Sequence, residues 1–365
     1  MSSLLHKAHR TDSYPLLYRI ADRFEWDKNL VACVLCELVC SFFLMYGGLS
    51  INAVETIQNQ TTHIENFQYG VSISWGIWIL ITNYIGFQLS GPHCNPAMSF
   101  LFYVLGAIPL KRFLLYVIAQ LIGCYLGALF VFILYLDGIS NFDGGVRQVH
   151  GPNATAGIFA TYPKDYLSVT GGFFDQFFTT AILCLIVLGI TDDRNKVPKM
   201  AQPAIIGVAL WGIISQYSHN CGAALNPARD FSPRLMTLTV GYGWEVFSYN
   251  NYKYFWIPIL GPMCGAILGG YMYKTCLGDY LPSSIDHSIP TGPFHHPSIY
   301  QPSNLITKES FAASKASRSA TISYAPNFLL PTAIKTGYNN HAGPTELHVP
   351  DIKPKSSSFH IVMDS

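Results

Sequence analysis

The chain has 365 residues, of which 50 % are hydrophobic and only 12 % are charged. Soluble globular proteins carry about 25 % charged residues, so this chain lacks much of the polar surface that water requires. A formal net charge of +1 argues against a nucleic-acid partner, which would need a concentrated basic face. Residues 1–28 lack the apolar core of a secretory signal peptide. We therefore expect an integral membrane protein that binds lipid and no nucleic acid.

Six apolar windows are long enough, or nearly so, to cross a bilayer as helices, which takes about 20 residues. In chain order they are 30–52, 69–90, 113–136, 173–190, 203–218 and 254–273. Two further apolar stretches, 95–108 and 226–238, are too short to span and indicate re-entrant segments. The predicted fold class is an all-α membrane protein with six transmembrane helices plus two re-entrant half-helices. Glycines at fourfold spacing indicate close packing of helices within one subunit: Gly123, Gly127, Gly261, Gly265 and Gly269.

The lysines and arginines near the ends of the predicted helices indicate their orientation. They concentrate in the amino tail and in the connections after the second and fourth helices, and they are nearly absent from the connections 53–67 and 137–169. Both termini are therefore predicted to be cytoplasmic. Sequons begin at Asn59 and Asn153, in the two predicted external connections, so both asparagines are glycosylation candidates.

The chain divides into three predicted parts. Residues 1–28 form a cytoplasmic tail, residues 29–277 form the membrane domain, and residues 278–365, rich in Ser, Pro and His, form a disordered cytoplasmic tail. Residues 29–136 and 170–277 repeat each other, and each repeat carries one Asn-Pro-Ala. Three helices per repeat turn the second copy upside down relative to the first. Such inverted repeats place a substrate path at their interface.

Each short segment opens on an Asn-Pro-Ala box. The two boxes are Asn95, Pro96, Ala97 and Asn226, Pro227, Ala228. Asparagine is a favoured N-cap and proline a favoured first helical residue, so one box alone indicates an ordinary capped helix. Two boxes in opposite halves, each before a helix too short to span, predict helix starts that meet near the midplane. Each start carries roughly half a positive charge, which favours small neutral polar solutes over cations.

Arg229 follows the second box and is ionisable at membrane depth, which indicates a functional residue. Its guanidinium can donate to solute hydroxyls while it repels cations. The alternative is a structural ion pair with the adjacent Asp230.

The paired boxes, Arg229 and the six-plus-two layout make residues 30–277 resemble the aquaporin (major intrinsic protein) family. Asp230 directly after the arginine resembles the aquaglyceroporin branch, as do Phe132, Pro258 and Ile259. The resemblance implies an aquaporin-like channel domain, and a passive channel for glycerol and water that excludes protons and ions. Urea and other small neutral solutes are left open. It also implies a homotetramer in the plasma membrane, with no cofactor and no metal.

The resemblance places a narrow selectivity filter at Trp75, Ile214, Ala223 and Arg229. An indole opposite a guanidinium suits glycerol, because carbons contact the ring and hydroxyls contact the arginine. The alternative for Trp75 is a lipid-facing or core position, since Trp78 is nearby. Ile214 is bulkier, and Ala223 smaller, than is usual in the glycerol conductors of this family. A strictly water-selective aquaporin is therefore the alternative function.

Three further positions match the family. His93 resembles its pore-lining histidine on the cytoplasmic side, where pH sensing is one interpretation and plain pore lining the other. Glu37 matches a buried acid that supports the re-entrant loops, and Gln176 occupies the equivalent place in the second repeat, where the family usually has Glu. We interpret Glu37 and Gln176 as structural.

Other function classes find less support in the sequence. No nucleophile stands with a base and no carboxylates form a pair, so we expect no enzyme. An ion-coupled transporter or ion channel needs several charges along a path, and Glu37, Asp175, Arg229 and Asp230 are too few. A scaffold or adhesion protein would not require two Asn-Pro-Ala boxes.

Overall fold

The structure is a computed structural model that describes residues 27–58 and 67–282. The predicted amino tail up to residue 26, the sequon asparagine Asn59 and the carboxyl tail from residue 283 lie outside the described residues. A second unit of the chain, residues 302–365, lies outside them as well.

The described residues form ten α-helices and no strand. They are α1 (Lys28–Gln58), α2 (Phe67–Gly86), α3 (Pro96–Val104), α4 (Leu110–Leu134), α5 (Leu136–Asp143), α6 (Val169–Thr191), α7 (Gln202–Tyr217), α8 (Pro227–Thr237), α9 (Glu245–Ser248) and α10 (Ile257–Cys276). The six long predicted windows correspond to α1, α2, α4, α6, α7 and α10. The two short windows correspond to α3 and α8.

The bounds of the helices differ from the predicted apolar windows, because a helix can continue through polar residues that lower the mean hydropathy. Helix α1 continues past its window to Gln58, whereas α2 ends at Gly86 and the chain turns there. By length and composition, three helices of the described part qualify as membrane-crossing: α1, α4 and α6. Helix α7 has only 16 residues. Gly, Ser, Trp and Tyr lower the hydropathy of α2, and Gly, Pro, Tyr and Lys lower that of α10.

Helix contacts repeat between the two halves. In the first half α1 packs against α4 and α2, and in the second half α6 packs against α10 and α7. The half-helices follow the same rule, since α3 contacts α4 and α10 while α8 contacts α10 and α4. Helices α2 and α7 pack against each other between the halves. Exchange of the two halves therefore maps one set of contacts onto the other, as an inverted repeat requires.

Glycines allow the closest of these helix crossings. Gly127 of α4 lies where a Cβ would approach the Phe42 carbonyl oxygen of α1 to 2.6 Å, and Gly269 of α10 lies equally tightly against the Ala181 carbonyl of α6. These are the equivalent crossings of the two halves, and both lie inside one chain, as predicted. The α2–α7 crossing uses a further pair, Gly76 and Gly207, at which each Cβ would meet the opposite carbonyl oxygen at 2.6–2.7 Å.

Candidate functional site

The two Asn-Pro-Ala boxes begin α3 and α8 as predicted. Asn95 Oδ1 accepts the Ala97 N–H at 2.8 Å, and Asn226 Oδ1 accepts the Ala228 N–H at 3.0 Å. In both helices the proline follows the cap, where its missing N–H costs nothing. Each asparagine therefore satisfies the first turn of its own half-helix through its carbonyl oxygen, and its amide nitrogen is left for other contacts.

Those amide nitrogens bind the opposite half. Asn95 Nδ2 donates to the Leu225 carbonyl at 3.0 Å, and Asn226 Nδ2 donates to the Cys94 carbonyl at 2.7 Å. Cys94 and Leu225 both have positive φ angles, 48° and 56°, a conformation that costs a non-glycine residue about 1–3 kcal/mol. One N–H of each amide is committed to this reciprocal pair of bonds. One N–H of each remains.

Glu37 supports the first re-entrant loop from α1. Its side chain is fully buried, and its two oxygens accept the backbone N–H groups of His93 at 2.8 Å and Cys94 at 2.9 Å. Gln120 of α4 donates to the same carboxylate at 2.8 Å. These contacts are those expected of a structural acid.

The second loop is supported by two side chains instead of one. Gln176 Oε1 accepts the Leu225 N–H at 3.0 Å, and its Nε2 donates to Asp175 at 2.9 Å. Asp175 in turn accepts from Asn220 at 2.8 Å and from the Cys221 thiol at 3.2 Å. Asp175, which the sequence offered only as a weak candidate for ion coupling, thus shares the support of the second loop with Gln176.

The four predicted filter residues line one cavity of about 460 Å³, together with Asn95, Asn226 and His93. The Arg229 guanidinium carbon lies 4.6 Å from the centre of a Trp75 ring. Arg229 also donates to the Phe159 carbonyl at 2.9 Å. Trp75 is buried, so a lipid-facing position is wrong; it packs in the hydrophobic core and also lines the cavity beside the arginine, and its filter role stays a prediction. Ile214 and Ala223 line the same cavity.

Asp230 forms its ion pair with Arg234 and not with Arg229, which contradicts the alternative of a structural Arg229–Asp230 pair. Asp230 Oδ1 accepts from Arg234 at 2.9–3.0 Å, while Oδ2 accepts the backbone N–H of Thr161 at 2.8 Å. Both side chains are buried. The Asp230–Arg234 ion pair was not predicted from the sequence, although a carboxylate four residues before an arginine on a helix was an available signal. This pair ties α8 to the connection between α5 and α6, and Arg229 lines the cavity.

His93 lies on the cavity wall with its ring held by neighbours. Its Nδ1 hydrogen-bonds with Ser99 Oγ at 3.0 Å. The ring stacks on Phe102 at 4.7 Å and meets Tyr116 edge-on at 5.4 Å. Pore lining is what this placement supports, and pH sensing stays a prediction.

Two other sites can be placed. Asn153 is exposed in the segment between α5 and the short 3-10 turn Ala156–Ile158, where a glycan would be accessible.

In the stretches 27–58 and 67–282, no group of three or more His, Cys, Asp or Glu side chains is arranged to hold a metal ion.

Known proteins resemble this chain over its whole membrane domain. The profile described as Major intrinsic protein matches residues 25–273. Aquaporin-9 of Rattus norvegicus is 44 % identical over 259 residues, which cover 70 % of this chain and 85 % of the rat protein. Aquaporin-4 of Milnesium tardigradum is 40 % identical over 260 residues, covering 70 % of this chain and 73 % of that protein.

A solved structure agrees with the same assignment. The X-ray structure of the aquaglyceroporin from Plasmodium falciparum superposes with a TM-score of 0.60 at 27 % identity, covering 67 % of this chain and 96 % of that one. The resemblance read from the two boxes and Arg229 is therefore confirmed. The chain belongs to the major intrinsic protein family and is a multi-pass membrane protein with six spanning helices and two re-entrant half-helices.

Proposed function

We propose that this protein is a passive channel for glycerol and water that excludes protons and other ions. The observation that carries the proposal is the Arg229 guanidinium lying 4.6 Å from the Trp75 ring, on a cavity that both box asparagines also line. The relatives named aquaporin-9 and the solved aquaglyceroporin support the same solutes.

A polyol fits this pair of side chains because it has two chemically different sides. Its hydroxyls can accept from the guanidinium, which presents a fixed fork of N–H donors. Its carbon edge can lie on the indole, which is a large apolar surface. Further along the cavity, the remaining N–H groups of Asn95 and Asn226 offer the next donors.

Cations are disfavoured at the same place for an electrostatic reason. The amino ends of α3 and α8 both reach the boxes, and each carries roughly half a positive charge. Arg229 adds a full charge, and among the described residues it forms no ion pair, because Asp230 pairs with Arg234. A cation would lose water there and gain only repulsion.

The strictly water-selective alternative depends on Ile214. Its side chain lies on the wall of the same cavity, and a branched side chain there narrows the space that glycerol needs. Nothing in the relatives favours this alternative over glycerol conduction.

Osmotic measurements on purified protein in liposomes test the proposal. When glycerol is added outside the vesicles, so that its gradient points inward, the vesicles should first shrink and then reswell, because water leaves before glycerol enters. Shrinkage without protein-dependent reswelling would favour a water-selective pore. Rates equal to those of protein-free liposomes would contradict a channel altogether.

We further propose a homotetramer in the plasma membrane, with a channel domain at residues 29–277, both termini cytoplasmic and glycans on Asn59 and Asn153. The exposed position of Asn153 supports its glycosylation. Exposed apolar side chains on α4, such as Ile118 and Ile133, suit contact with lipid. The mass of the protein extracted from cells, before and after enzymatic removal of N-glycans, tests assembly and glycosylation together.

A further inference from the structure

Asn52 of α1 contacts two partners that belong to different parts of the channel. Its Oδ1 accepts the indole N–H of Trp75 on α2 at 3.1 Å. Its Nδ2 donates to the carbonyl of Ile158 in the external connection at 3.1 Å. Asn52 therefore fixes the orientation of an indole that the proposed filter uses, and it does so from outside the four residues assigned to that filter.

The partner of Asn52 in the external connection lies next to the partner of Arg229. Asn52 binds the Ile158 carbonyl, and Arg229 binds the following carbonyl, that of Phe159, at 2.9 Å. Ile158 and Phe159 are almost fully buried, at 1 % and 0 % exposure. Two successive carbonyls of one rigidly packed turn thus anchor both sides of the filter, the indole side through Asn52 and the guanidinium side directly.

We propose that Asn52 is a positioning residue that determines solute preference, an inference that rests on the proposed glycerol function. It commits the Trp75 N–H to α1, so the indole offers the solute a carbon surface and no competing donor. It also fixes the separation between Trp75 and Arg229 through the Ile158–Phe159 turn. Without Asn52 the indole N–H is left without its acceptor, the ring is free to tilt, and the N–H becomes available to water.

Asn52→Leu tests this role because leucine has a similar size and neither donor nor acceptor. We expect the ratio of glycerol to water permeability to fall about fivefold, the factor that corresponds to one net hydrogen bond of about 1 kcal/mol. The ratio is measured on the same vesicles, so a smaller folded fraction cancels. Ser50→Ala is the matched control, since Ser50 lies on the same helix and donates only within it, to the Tyr46 carbonyl at 2.6 Å; its ratio should equal that of the wild type.

A double variant separates positioning from a general structural effect. Trp75→Phe keeps an aromatic ring and removes the N–H, so Asn52→Leu should change the ratio less in that background than in the wild type. Equal changes in both backgrounds, or an unchanged ratio in Asn52→Leu alone, would overturn the inference. If Asn52→Leu does not insert, Asn52→Ala is scored by the same ratio. A wild type that passes no glycerol would refute the proposed function itself, which a failure at Asn52 alone would not.

Discussion

At the scale of single residues, the proposed filter depends on which partners the two buried arginines of α8 bind. Arg229 has a backbone carbonyl and an aromatic ring as neighbours, whereas Arg234, five residues further along α8, has the carboxylate of Asp230. Thus Arg229 lines the cavity, whereas Arg234 forms a buried ion pair that stabilises the fold. The difference comes from Asp230, whose spacing of four residues favours Arg234 over its immediate neighbour.

Replacement of Trp75 by Ala should weaken discrimination among polyols of different length. The change removes the apolar wall opposite Arg229, so the bore widens and the carbon edge of a solute loses its surface. Relative permeabilities of glycerol, erythritol and ribitol in liposomes measure the effect. We expect them to converge by about threefold or more, since burial of one CH2 group contributes about 0.8 kcal/mol. Trp78→Ala is the control, because Trp78 packs beside Gly47 and should alter the yield and not the ratios. Unchanged ratios in Trp75→Ala would reject its filter role.

Replacement of Arg229 by Val should admit protons or small cations, because the full charge at the cavity is lost. Arg229→Lys keeps the charge and removes the planar fork, so it should retain ion exclusion while glycerol permeability falls. Proton and potassium fluxes into liposomes with internal indicator dyes distinguish the two variants. Tight exclusion in Arg229→Val would assign the barrier to the helix ends alone.

The residues of the site were predictable where one residue type and a short spacing carry the chemistry. The box asparagines and Arg229 are of this kind. Asn52 and Phe159 were not, because their roles arise from contacts across large sequence separations: Arg229 and Phe159 are 70 residues apart. Every residue has a backbone carbonyl, so the amino-acid sequence does not indicate which carbonyl Arg229 binds.

At the scale of elements, the helices were predictable because each long apolar window has to satisfy its backbone within the membrane. What the windows did not predict are α5 and α9, which are short and lie in the connections between α4 and α6 and between α8 and α10. The pairing of helices required the glycine spacing as well, and the Gly76–Gly207 contact between halves was missed because each half supplies only one glycine.

The connection from α6 towards α7 is tied to the end of α10 by a charged cluster outside the membrane-spanning segments. Arg194 donates to Asp192 at 2.6 Å and to the Gly278 carbonyl at 2.7 Å, and the Tyr273 hydroxyl donates to Asp192 at 2.8 Å. The hydrogen bonds from Arg194 lower the pKa of Asp192 to about 2. Because the folded pKa lies below the ordinary value, the stabilisation is present above about pH 4 and is lost as the pH falls towards 2.

Asp192→Asn should therefore lower the Tm of the purified protein at pH 7 by a few degrees, the effect of about 1 kcal/mol on a domain of this size. The difference from the wild type should shrink as the pH approaches 2. Asp193→Asn is the matched control: the Asp193 side chain is 72 % exposed and lies 3.6 Å from Lys199, so its Tm should stay unchanged. Tryptophan fluorescence during heating in detergent measures all three proteins. Equal shifts for the two variants would contradict the role of the cluster.

At the scale of the whole molecule, the two halves have equivalent helix contacts, and each half supports its own re-entrant loop with buried polar side chains. The first half uses one buried acid, Glu37, where the second divides the task between Asp175 and Gln176. Each loop is thus still supported by one carboxylate, that of Glu37 in the first half and that of Asp175, the residue before Gln176, in the second. The repeat was visible in the sequence, whereas the redistribution of its polar contacts became visible only in three dimensions.

The mutual bonds between each box asparagine and the opposite carbonyl also bear on how transport can proceed. Carriers that rock between outward-open and inward-open shapes must separate their repeats at the substrate site in every cycle. Here the repeats are fastened at that depth by two amide–carbonyl bonds whose donors and acceptors are exchanged between them. The flow of solute should therefore follow its gradient in both directions at rates set by diffusion, without saturation at a turnover limit.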